Sequence, residues 1–202
     1  MINEKGERKL FNKKSLVFTS SFLLLTVLDI LLTFIGTPDL TDEGNPISAV
    51  FEFGWIALII TNLIALVIFA LFSHMAFVRY KTPKIEVDNF FEFYLMLFYN
   101  TKTMVVKPMF KLPKNWMPFF AMISYAACIA LIAGRIVVVA EWIAILLGYE
   151  HSAYFMVRVG IPLGRTDIWV FVLAFLISVI VWMEKEFKKV RKYSQNCTEI
   201  DN

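Results

Sequence analysis

Histidine and cysteine are nearly absent from this chain, with two of each in 202 residues. Cys128 lies within a hydrophobic stretch and Cys197 in a polar tail, so the two sit at different depths and cannot pair. His151 stands beside Glu150 with no second histidine nearby, which falls far short of a metal-ligand signature. There is no glycine-rich phosphate loop, no His-Glu-x-x-His pair and no nucleophile elbow, so the common hydrolase, protease and nucleotide-binding readings lose their support. No cofactor is expected. Charged residues amount to only 18%, and no polar linker long enough to separate domains interrupts the chain, which reads as one membrane domain over 1–202.

What the chain has in abundance is apolar surface: 58% hydrophobic residues and a mean hydropathy of +0.65, more than a soluble domain of this size can bury. Those side chains must face lipid. A spanning helix needs roughly 20 mostly apolar residues, and windows at 16–36, 47–73, 117–148 and 168–182 qualify. The expected fold is an all-α polytopic membrane protein with four transmembrane helices. The first window follows Lys9, Lys13 and Lys14 as a signal peptide would, but it is too long and lacks a cleavage pattern, so it reads as a retained span. Segment 85–99 mixes Phe90, Phe91, Phe93 and Phe98 with Glu86, Asp88 and Glu92, and reads as an interfacial helix on the cytoplasmic side. The alternative for this segment is packing beneath the bundle. A basic tail, 185–202, follows the last span.

Lysine and arginine set the expected orientation. They crowd the region before the first span (Lys5, Arg8, Lys9, Lys13, Lys14), the 79–114 loop and the 185–192 stretch. Residues 37–45 carry Asp39, Asp42 and Glu43 with no basic residue, and the later outer loop has only Arg158 and Arg165. Both termini are therefore expected in the cytoplasm. The tryptophans agree: Trp116 and Trp182 fall at inner ends, Trp169 at an outer end, Trp55 and Trp142 in outer quarters. The net charge of +3 resides in blocks beside hydrophobic segments, where anionic lipid headgroups neutralise it, and implies no nucleic-acid partner. Asn196-Cys197-Thr198 matches a glycosylation acceptor but falls on the cytoplasmic side.

Ionisable groups within spans cost about 2.5 to 3.5 kcal/mol at a helix centre, so each needs a reason. The candidates are Asp29, Glu52, Arg135 and Glu141, with Asn62 as a buried amide. With Gly36, Pro46 and Gly148 as outer ends, Asp29, Glu52 and Glu141 fall roughly 9 to 11 Å deep, Arg135 roughly 20 Å and Asn62 roughly 24 Å. Three carboxylates thus share one expected level, above a positive charge and an amide. Helical side chains lean toward the N-terminus, which tilts Arg135 away from Asp29, so its partner is either Asp29 or Asn62 with backbone carbonyls. An interhelical pair of this kind can also be packing alone.

Asp29 and Thr33 share a helix face, and Asn45-Pro46 reads as an N-cap and first helical residue, with Glu43 two positions ahead of Asn45. This Asp-x-x-x-Thr and Glu-x-Asn-Pro combination resembles a family of small polytopic membrane proteins of prokaryotes, over about the first 75 residues. The resemblance implies that Asp29, Thr33, Glu43, Asn45 and Pro46 act together, and it lends no activity. In that family a lysine often follows in the second span; this chain has Asn62 near that point, which suggests Arg135 for the role. A faint repeat also shows, since Asp29 precedes Gly36 by the same spacing as Glu141 precedes Gly148.

The leading functional expectation is a membrane binding or scaffold protein, a subunit of a larger complex whose polar groups fix helix packing. A small proton or cation transporter or channel using the carboxylate layer is the alternative. An intramembrane enzyme acting on a lipid-linked substrate comes third, and catalysis is the less favoured class. The expected partners are the lipid bilayer and a membrane protein or a second copy of the chain.

Overall fold

The computed structural model describes residues 12–40, 54–102, 112–148 and 166–200, and of the last stretch the side chains of 168–193. The protein is all-helical: α1 Lys13–Gly36, α2 Gly54–His74, a π turn Met75–Arg79, a short α3 Phe90–Tyr99, α4 Trp116–Leu146 and α5 Thr166–Ile200. Among the described residues there is no strand. Among the described residues four helices are long and apolar enough to cross a membrane. Their exposed surface is an apolar coat, with Leu24, Leu31 and Phe34 on α1, Ile56, Leu63 and Leu71 on α2, and Leu173, Ile177 and Ile180 on α5.

Local chemistry fixes the helix ends. Asn12 caps α1 by accepting from the Ser15 amide at 2.8 Å. Asn89 and Glu92 form a capping box on α3: the Asn89 side chain accepts from the Glu92 amide, and the Glu92 carboxylate accepts from the Asp88 amide. Asn100 ends that helix in the left-handed conformation, φ 54°.

α4 is the central element and the one that packs substantially on α1, α2 and α5, while α5 lies chiefly against α4. Its buried face is built from small residues, Ala121, Ser124, Ala126, Ala127, Cys128 and Ala130, which let neighbouring backbones approach. Lipid tails are as apolar as leucine, so helix association in a bilayer rests on such close packing and on polar contacts. The start of α1 is tied to the end of α2 by a Ser15–Ser73 hydroxyl contact of 2.8 Å and by the Asn12 amide donating to the Phe77 carbonyl.

α3 packs on the bundle, as the alternative reading of its segment expects. Phe90 and Phe91 remain half exposed, whereas Phe93, Leu95, Leu97 and Phe98 are buried against Trp182, Met183, Val190 and Ala121. Trp182 is accordingly buried beneath Tyr80 rather than presented to headgroups. The stretch expected as a basic tail continues as helix to Ile200, because Trp182, Met183, Glu186, Phe187 and Val190 recur at helical spacing and pack against the 80–98 region.

Candidate functional site

The buried stripe of α1 is polar for a membrane helix: Ser15, Thr26, Asp29 and Thr33 are buried along with Phe22. Phe22 stacks on Phe69 of α2 with ring centroids 4.2 Å apart, and the two form one buried cluster with Cys128 of α4. One step further along lies the charged centre. Arg135 of α4 donates from one terminal nitrogen to the Asp29 carboxylate and from the other to the Asn62 side-chain carbonyl. Its guanidinium carbon stands 5.8 Å from the Phe22 ring centroid, within cation–π range. Asn62 spends its own amide hydrogens on the Leu58 carbonyl at 2.9 Å, which turns its oxygen toward Arg135. Three helices thus meet at one guanidinium.

Both expected partners of Arg135 are therefore correct, and the depth scale is what fails. Asp29 and Arg135, and Gly36 and Trp142, are two contacting pairs, each separated by 106 in sequence. Contacts that advance together mean that α1 and α4 run parallel, and their spacing of seven is that of a left-handed coiled-coil seam. Trp142, not Gly148, is level with Gly36, so Arg135 stands at the height of Asp29. α4 simply extends further. On parallel helices both side chains lean toward the same end, so the tilt does not part them.

The same register overturns the shared carboxylate level. Glu141 is half-buried and lies about 9 Å further along α4 than Arg135, near the C-terminal end of α1. It does not belong to the layer of Asp29. Thr33 is buried one turn beyond Asp29 on the same face, as its spacing implies. Glu43, Asn45, Pro46 and Glu52, with Glu150 and His151, lie outside the described residues.

The suggested repeat also dissolves at its glycines. Gly36 is helical, and a Cβ placed there would stand 2.6 Å from the Trp142 indole, so the residue exists for close approach. Gly148 has φ +81° with open space around it, and serves to end α4 in the left-handed conformation.

A second buried charge escaped the sequence reading. Glu186 of α5 is 2% exposed and accepts from the Thr82 hydroxyl at 2.7 Å and the Tyr80 hydroxyl at 3.3 Å, with Lys189 completing the cluster. Burial and the adjoining Glu186 carboxylate push the Tyr80 phenol above its ordinary value, so it stays a donor. Flanked by Lys185, Lys188 and Lys189, Glu186 looks like part of a solvated tail; only the apolar residues at helical spacing around it signal burial.

Among the described residues no three His, Cys, Asp or Glu side chains gather as a metal site. No protein-family model, no curated protein and no solved structure matches this chain.

Proposed function

We propose that this chain is an integral membrane binding or scaffold protein, a subunit whose buried charges hold its own helices in register while its outer surface meets a membrane partner. One observation carries the reading: Arg135 finds an anion in α1 and an amide acceptor in α2, so the charge in the apolar layer is compensated within the bundle. A transporter site needs a carboxylate that can exchange its counter-ion. Here the carboxylate is committed to a fixed guanidinium beside an aromatic ring.

In this reading both termini face the cytoplasm, on the strength of the lysine and arginine distribution. The Asp29–Thr33 face, joined to Glu43, Asn45 and Pro46, remains the feature shared with the small prokaryotic membrane family it resembles. The deciding experiment reconstitutes the full chain in liposomes and follows proton and cation flux across an imposed gradient, for wild type and Asp29→Asn. The scaffold reading expects no specific flux, and a lower folded yield for the variant. Flux in the wild type that vanishes in a normally folded Asp29→Asn protein would replace it with the transporter reading.

A further inference from the structure

A groove of about 370 Å³ runs between α1 and α4. Val17, Phe18 and Ser21 line one wall and Ile129, Ala133 and Ile136 the other, so Ser21 is the one polar side chain among these. It opens sideways, since Val17 and Ile136 at its two ends are each more than half exposed. In the α1–α4 register, Ile136 is level with position 30 of α1, which makes the groove about 20 Å long. One leaflet of hydrocarbon is about 15 Å deep.

Both walls lead to a lysine at the end where α1 begins. On α1 the stripe Val17, Phe18, Ser21 continues one turn down to Lys14, which is exposed. On α4, Tyr125 lies one turn below Ile129, and its hydroxyl accepts from the exposed Lys185 at 3.3 Å. Lys185 turns to a phenol and its ring face, and has no carboxylate partner among the described residues. Phe77 lies between Phe18 and Tyr125, with ring centroids 4.8 and 5.9 Å away, and so links the α1 wall of the groove to the tyrosine that carries Lys185.

An apolar channel one leaflet long that leads to two ammonium groups with no carboxylate partner among the described residues matches one ligand chemistry. We propose that this groove is a binding site for an anionic glycerophospholipid of the leaflet that meets the start of α1, with one acyl chain between α1 and α4 and the phosphate at Lys14 and Lys185. The site goes beyond the scaffold reading and does not depend on it.

The test equilibrates the purified full chain with mixed micelles of equal amounts of phosphatidylglycerol and phosphatidylcholine, then measures the lipid retained per protein by mass spectrometry. Wild type is expected to retain close to one phosphatidylglycerol in preference to phosphatidylcholine. Lys14→Gln with Lys185→Gln should lower that preference by about fivefold per lysine, the weight of one basic residue near an anionic headgroup. Ala133→Trp, which fills the channel, should release the lipid. Equal retention of the two lipids by wild type, a preference unchanged in the lysine variant, or full retention in a folded Ala133→Trp protein overturns the proposal. The lysines are surface residues, so their variant reports even where the tryptophan variant fails to fold.

Discussion

Gly36 of α1 and the indole of Trp142 of α4 touch with no room for a methyl group between them. This contact aligns Asp29 with Arg135, seven residues below on each helix. Gly36→Ala should therefore force the helices apart at their C-terminal ends and cost about 1 to 3 kcal/mol, the range for overpacking. Trp142→Leu in the same chain should recover most of that loss. Thermal unfolding of the purified variants decides it, and a double variant no more stable than the single one would show that the indole does not set the spacing.

Asp29→Asn leaves the Arg135 guanidinium with amide acceptors only. The expected cost is about 1 to 3 kcal/mol, because a cation in an apolar layer loses its counter-charge. Adding Arg135→Gln removes the stranded charge and should restore part of the stability, a positive coupling readable in a double-mutant cycle. Additive losses would mean that the pair contributes nothing to folding.

Glu186→Leu deprives the Thr82 and Tyr80 hydroxyls of their acceptor and should cost about 2 kcal/mol. Glu186→Gln retains an acceptor oxygen and loses mainly the pairing with the exposed Lys189, so its effect should stay below about 1 kcal/mol. Protease cleavage within 80–89 is the sensitive readout, faster in the leucine variant. Equal cleavage in all three proteins would show that Glu186 does not fasten this connector.

Ala130 is fully buried on α4, four residues from the equally buried Ala126. Ala130→Leu adds a branched side chain where backbones meet, with an expected loss of about 1 to 3 kcal/mol. Leu24→Ala, at an exposed position on α1, serves as the control and should change little. A similar loss at both positions would deny α4 its close-packed role.

The four spans were legible because length and continuous hydrophobicity are properties of each segment alone. Asp29, Asn62 and Arg135 stood out for the same reason, as polar groups within apolar runs. Their common height was not legible. A ruler drawn from each helix end assumes that the ends are level, and α4 continues beyond the end of α1. Glu186 was hidden by the opposite effect: its lysine neighbours made a buried position look solvated, and the residues that bury it come from the 80–98 region, far away in sequence.

By itself, the order of residues determined the four helices long and apolar enough to cross a membrane found among the described residues, since a continuous apolar run of that length satisfies its own backbone in lipid as a helix. The tertiary structure alone decided which charges meet. Axial register between helices depends on where a glycine admits an indole and where alanines let two backbones close, and those are contacts between segments that no single segment encodes.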